Sequence, residues 1–220
     1  EAQFAVKAGY DAGLLSMAAF ADDTVEAMLE HARRVAEIMP VIGFYLQPSV
    51  GGRILPYEFW KEFAKIDNLI GIKMAPFNRY CTLDVVRAVA ESGKDITLYT
   101  GNDDNIVIDL VSNYRFEVDG KVYEKRFIGG LLGHWSVWTK KAVELFERLK
   151  EVRKLDAIPA EILVLANEVN DTNAVFFDTA NGFKGCIAGL HEVLRRQGIF
   201  KGTWCLNPEE TMSEGQNEEI

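Results

Sequence analysis

Leu69-Ile70-Gly71-Ile72-Lys73-Met74-Ala75-Pro76 is a short apolar run closed by a proline, with a single cation inside it. A run this short and this apolar reads as a buried strand of a parallel sheet. The Lys73 ammonium is costly to desolvate there unless it is paired, neutral or used in chemistry. A lysine so placed loses its proton readily and attacks carbonyl carbon to form a Schiff base. The preceding apolar strand, Val41 to Gln47, carries Tyr45 at nearly the same depth. A lysine and a tyrosine at one end of adjacent parallel strands make a nucleophile and a proton shuttle. The bland alternatives are a lysine that snorkels to solvent and a core tyrosine with a satisfied hydroxyl.

Outward from this strand the chain alternates between strand and helix. The pattern predicts strands at 13–17, 41–47, 69–74, 96–100 and 130–133. Helices are predicted at 23–38, with an Asp23/Glu26 capping pattern, after Pro56, from Thr82 to a stop at Gly93, at 105–113 and at 136–154. Residues 115–127 interrupt the rhythm as a hairpin turning at Asp119-Gly120. Five β-α units in succession point to an α/β fold with a parallel sheet and helices outside. After Pro159 the pattern is helical only, with helices expected at 160–170, 173–180 and 183–197. The expected organisation is a barrel portion over 1–158, a helical appendage over 159–206 and an acidic, solvated tail over 207–220.

The 220 residues fit one domain with an appendage. A hydrophobic content of 48% with 26% charged residues excludes disorder as the default, and no apolar run has membrane-spanning length. The net charge of −9 argues against nucleic acid as the main partner. Three widely spaced cysteines, Cys81, Cys186 and Cys205, form no C-x-x-C pair, and the three histidines make no metal motif. No disulfide framework and no metal site are expected, and a cytoplasmic setting is the better reading. His134, beside Trp135 and Trp138, is a candidate for binding substrate or moving protons, with a structural histidine an equal alternative. His31, next to Arg33 and Arg34, reads as part of a solvated face.

Four ordered landmarks resemble the dihydrodipicolinate synthase / N-acetylneuraminate lyase superfamily of class I aldolases. Gly43-Phe44-Tyr45-Leu46-Gln47-Pro48 is similar to the strand whose tyrosine relays protons, and Leu69 to Lys73 to the strand bearing the Schiff-base lysine. Tyr99-Thr100-Gly101-Asn102-Asp103 resembles the Gly-Asp-Asp strand end, and Gly129-Gly130-Leu131-Leu132-Gly133 the glycine-rich last strand that lines the keto-acid pocket. The resemblance implies a (β/α)8 barrel, of which these five units would be strands four to eight; the sheet would otherwise stay open or be completed by another chain. It implies Lys73 and Tyr45 as catalytic residues, Gly101, Leu132 and His134 near the substrate, and no cofactor. The implied partners are a 2-keto acid such as pyruvate and an aldehyde, in a homo-oligomer without membrane attachment.

The departures sharpen this expectation. Met17-Ala18-Ala19-Phe20 stands where the family commonly has a Pro-Tyr-Tyr-like segment, and Val50 where true dihydrodipicolinate synthases place an arginine for the aldehyde's carboxylate. Arg53 is near but out of register. The expected aldehyde is therefore less charged than aspartate semialdehyde. The competing expectation is a non-catalytic or truncated family member that binds a small keto acid or a partner chain without turnover; a third is a (β/α)8 enzyme of another chemistry in which Lys73 only pairs with an acidic group.

Overall fold

The structure, a computed structural model, describes residues 1–220. In chain order the elements are α1 (Ala2–Lys7), β1 (Gly13–Leu15), α2 (Val25–Ala36), β2 (Val41–Leu46), α3 (Tyr57–Phe63), β3 (Leu69–Ala75), α4 (Arg79–Ser92), β4 (Thr97–Thr100) and α5 (Ile106–Val111). There follow β5 (Tyr114–Val118), β6 (Lys121–Lys125), β7 (Phe127–Gly130), α6 (His134–Val137), α7 (Thr139–Val152), α8 (Ala160–Phe176), α9 (Cys186–Arg196) and α10 (Gln216–Glu219). Two compact units arise: residues 1–102 with 112–131, and residues 103–111 with 132–220. No helix is long and apolar enough to cross a membrane.

The first unit is a five-stranded parallel sheet in the order β1-β2-β3-β4-β7. Side chains alternate between its faces. On β2, Val41 and Tyr45 are buried while Ile42, Phe44 and Leu46 are half-buried. The buried set faces the helices: a Cβ added to Gly43 would lie 2.6 Å from the Phe63 ring of α3. Phe59, Trp60 and Phe63 of α3, with Val85, Val86 and Val89 of α4, fill this layer. Ile72 and Met74 of β3 are also wholly buried, so Lys73, between them, projects to the opposite, inner face.

Two helix starts differ from the sequence reading. The cap of α2 is Thr24, not Asp23, and its hydroxyl accepts from Ala27 N at 3.1 Å. The cap of α4 is Asn78, whose side-chain oxygen accepts from both Tyr80 N and Cys81 N. Thr82 lies inside that helix and donates to Asn78 O at 3.1 Å. Gly93 ends α4 in the left-handed region, φ +66°, as expected. The β5–β6 hairpin turns at Asp119 and Gly120, both at positive φ, the geometry a two-residue turn requires. The last sheet strand is 127–130 rather than 130–133, because Phe127, wholly buried, supplies its anchor.

The second unit is helical. Val137, Phe176, Phe177 and Val193 form its buried cluster. Residues 160–176 make one helix where two, 160–170 and 173–180, were expected: the Asn173 amide is buried and donates to Asp103 O at 2.6 Å. The tail glutamates are exposed, but Gln216 is not: its amide donates to Val175 O, Phe176 O and Gly185 O. The expectation of a wholly solvated tail fails there, at Ser213, whose hydroxyl donates to Asp178 Oδ2 at 2.6 Å, and at Ile220, which packs against the helical cluster.

Glu192 is 1% exposed and is held bidentately by Arg195, at 2.6 and 2.7 Å, and by Arg196 at 2.8 Å. The Arg195 hydrogen bonds, then that of Arg196, bring its carboxyl down to about 2. An unfolded glutamate titrates near about 4.3. A depressed folded value stabilises fully above the unfolded one and fades as pH falls towards about 2. Thermal unfolding of Glu192→Gln against the parent should show a lower midpoint at neutral pH and a flatter acid limb. Parallel acid limbs for the two proteins would refute this.

Candidate active site

The register of the first unit builds the site. Phe44, Lys73, Tyr99 and Gly129 are partners across β2, β3, β4 and β7. Their neighbours in register, Tyr45 with Met74 and Ile72 with Leu98, are buried on the helix side. Phe44, Lys73 and Tyr99 therefore share the inner face. The ladder shifts register between Leu98 and Tyr99, which turns Gly129 to the same face. A Cβ on Gly129 would lie 3.2 Å from the Tyr99 ring.

Lys73 is half-buried, and its Nζ lies 4.3 Å from the centroid of the Phe44 ring. A cation over an aromatic face is stabilised by the ring quadrupole. Gly101 follows β4, and a Cβ there would come within 3.0 Å of Lys73 Cε and of Ala75 Cβ. The glycine thus leaves the channel through which the lysine stem passes. Gly101 N donates to Met74 O at 2.6 Å, which holds this approach in place.

Asn102, 2% exposed, braces the loop after the lysine strand. Its Oδ1 accepts from Phe77 N at 3.2 Å, and its Nδ2 donates to Thr82 Oγ1 at 3.1 Å. Phe77 is held at φ +48°, an unfavourable region for a bulky residue. Strain of about 1–3 kcal/mol persists only where surrounding bonds over-determine it. Asn102 supplies such bonds, and an aspartate there would lose the donor to Thr82.

Tyr45 is not beside Lys73. It is 1% exposed on the helix face, its ring 4.8 Å from that of Trp60. Its hydroxyl accepts from Leu55 N at 3.2 Å and donates to Leu55 O at 3.4 Å. Burial, with the Cys81 thiol adding to it, raises the phenol well above its ordinary value. Similar depth was legible in the sequence; opposite facing was not, because one residue of register reverses every side chain. Arg53 is likewise committed elsewhere: its Nη1 donates to the carbonyls of Phe20, Ala21 and Asp23.

Leu132 and His134 belong to the second unit, and both are buried. Leu132 O accepts from Trp135 N at the start of α6. His134 N donates to Asp103 Oδ1 at 3.0 Å, and its Nδ1 lies 2.5 Å from Asn173 Oδ1. Asn173 uses its amide hydrogens on Asp103 O, so His134 Nδ1 carries the proton in this pair. Its ring packs on Trp138 and Phe176, and burial lowers its pKa against the opposing Asn173 bond. These contacts are those of a structural histidine.

A cavity of about 540 Å³ lies among α1, β1 and α2, lined by Ala2, Leu14, His31, Val35 and Met39 among others. Its lining includes no lysine, cysteine or serine. Tyr99 and Asn102 entered the sequence reading only as part of the strand-end landmark, with no place given to their side chains. The signal for Tyr99 was the alternation of its strand against that of Lys73.

Comparisons with known proteins place this geometry. Curated relatives include the 4-hydroxy-tetrahydrodipicolinate synthases of Alkaliphilus oremlandii, 36% identical over 86 residues, and Methanosarcina barkeri, 30% identical over 111 residues. These matches cover 38% and 49% of this chain but only 28% and 36% of the relatives. Among solved structures, dihydrodipicolinate synthase from Bacteroides thetaiotaomicron superposes with a TM-score of 0.69 at 14% identity, over 99% of this chain and 67% of that one. The 2-keto-3-deoxygluconate aldolase of Sulfolobus superposes at 0.60 with 16% identity, over 90% of this chain and 58% of that one. The five parallel strands are thus part of a (β/α)8 barrel, as expected. Residues 1–113, which contain Phe44, Lys73, Tyr99 and Gly101, match the model of the dihydrodipicolinate synthetase family, and the chain belongs to that family.

Proposed function

We propose that this chain carries the Schiff-base lysine of a class I aldolase or lyase acting on pyruvate or another 2-keto acid. The observation that carries this reading is Lys73 on the inner sheet face, its stem passing the Gly101 clearing. The neutral amine attacks the keto carbon, water leaves, and the protonated imine becomes the electron sink for an enamine. The enamine adds to an aldehyde, or forms as a carbon–carbon bond breaks. Val50 in place of an arginine, and Arg53 spent on three carbonyls, support an aldehyde without a second carboxylate. The test is reductive trapping: borohydride with pyruvate, then peptide mapping for an adduct on Lys73.

One observation favours a second reading, keto-acid binding without turnover: the Tyr45 hydroxyl is bound to Leu55. An adduct at Lys73 without carbon–carbon bond chemistry toward any aldehyde of a panel would select it.

We also propose a homo-oligomer. Membership of a family for which the resemblance implies assembly supports this reading. Light scattering should report a mass above that of one chain, and a monomer at micromolar concentration would overturn this.

A further inference from the structure

Two pieces of backbone set the course of the Lys73 stem, and one buried side chain fastens both. The first is the end of β4, where a Cβ on Gly101 would come within 3.0 Å of Lys73 Cε. Gly101 N donates to Met74 O of the lysine strand, and Asn102 N, the next along, donates to Thr100 Oγ1 at 3.2 Å. The second piece is the exit of the lysine strand itself. It turns at Phe77, four residues after Lys73, and Phe77 N donates to Asn102 Oδ1 at 3.2 Å. We propose that Asn102 is a positioning residue for Lys73, fixing the direction of its amine through Gly101 and the Phe77 turn, an inference that rests on Lys73 being the Schiff-base lysine.

The surroundings of Asn102 suit that task. It is 2% exposed, and Thr82, which accepts from its Nδ2 at 3.1 Å, is wholly buried, so the amide is anchored at both of its ends. An amide accepts from one partner and donates to another, whereas a carboxylate only accepts. Met74 and Ala75, which lead from the lysine towards the turn, are buried and leave the segment little slack. Phe77 is kept at φ +48°, a region that glycine occupies without cost and a bulky residue does not. Its side chain stays half-buried, so full burial does not repay this strain, and strain held in place by surrounding bonds marks a turn with a function.

The step served is attack of the neutral Lys73 amine on the keto carbon. The C–N bond forms, and the keto oxygen leaves as water with one proton from nitrogen and one from solvent. Nitrogen keeps its other proton as the protonated imine. Attack requires the lone pair to be aimed at that carbon, and a misplacement of about 1 Å costs about a hundredfold. Asn102 exchanges no proton in this step, so its loss lowers the rate and leaves the affinity for pyruvate alone.

The experiment mixes protein with pyruvate, quenches with borohydride at timed intervals and quantifies the Lys73 adduct by mass spectrometry, well below each variant's melting midpoint. Asn102→Ala should form the adduct about ten- to a hundredfold more slowly, with half-saturation by pyruvate within about threefold of the parent. A role in stability alone would lower the midpoint and leave this rate unmoved. Phe77→Gly takes up the left-handed turn unaided, so Asn102→Ala added to it should slow the adduct by a clearly smaller factor than it does alone. Should Asn102→Ala not fold, the nearly isosteric Thr82→Val withdraws the second anchor of the amide and should slow the adduct at unchanged half-saturation. A parent-like rate in folded Asn102→Ala, or in Thr82→Val where that variant is needed, overturns the Asn102 assignment while Lys73 stands. An equal loss with and without Phe77→Gly overturns it too. No adduct on Lys73 in the unsubstituted protein overturns the Schiff-base reading and this assignment together.

Discussion

Lys73→Ala should abolish the borohydride-stable pyruvate adduct and reduce turnover by about a thousandfold or more. The magnitude follows from chemistry: no other amine shares the register layer formed by Phe44, Lys73, Tyr99 and Gly129. Lys73→Arg should fail as completely, since a guanidinium stays protonated and does not attack carbonyl carbon. Fold is expected to survive both changes. Lys73 is half-buried rather than part of the helix-side core, so the alanine leaves that core intact while losing the contact with Phe44 and the packing along Gly101. Mass spectrometry of trapped protein is the check. An adduct persisting at another lysine in Lys73→Ala would move the site elsewhere.

Gly52→Ala should cost about 3 kcal/mol or more, the largest stability effect expected of a single methyl here. A Cβ at that position would lie 1.9 Å from Leu46 O and 2.7 Å from Gln47 O, and backbone atoms, unlike a side-chain end, do not swing aside. The turn is tied down by the bond from Gly52 N to Gln47 O, 3.0 Å, after a left-handed Gly51 at φ +89°. It delivers Arg53 to the loop carbonyls and Leu55 to the Tyr45 hydroxyl. A chain of this size loses about 2–4 °C of melting temperature per kcal/mol, so the midpoint should drop by roughly 6–12 °C. Calorimetry checks it, and an unchanged midpoint would mean that the turn rebuilds freely.

The sequence made the strands legible because each is a short apolar run with turn residues at its ends, and the hairpin legible because Asp119-Gly120 fits one turn geometry. It made Lys73 legible because a cation in such a run demands a reason. Facing was harder. Tyr45 has the apolar surroundings of a site residue, but those same neighbours, Phe44 and Leu46, point the other way. Capping was misread where two polar residues compete, as at Asp23 and Thr24, since backbone angles choose between them. His134 was ambiguous because its partner Asn173 lies far along the chain, in a helix whose continuity the polar residues masked. Long-range hydrogen bonds of that kind leave no local trace.

The hairpin of β5 and β6 has a consequence for engineering. It forms its own two-stranded ribbon outside the parallel sheet, with its base tied by Tyr114 against the Phe127 ring and the Arg79 guanidinium. Its tip, Asp119-Gly120, bears on nothing in the lysine layer. New termini, a fluorophore or an inserted domain placed there would leave the register of Phe44, Lys73 and Tyr99 intact, because exposed tips tolerate such changes when the base stays bonded. The ribbon is thus a handle by which the barrel portion could be tethered, labelled or permuted without touching its chemistry.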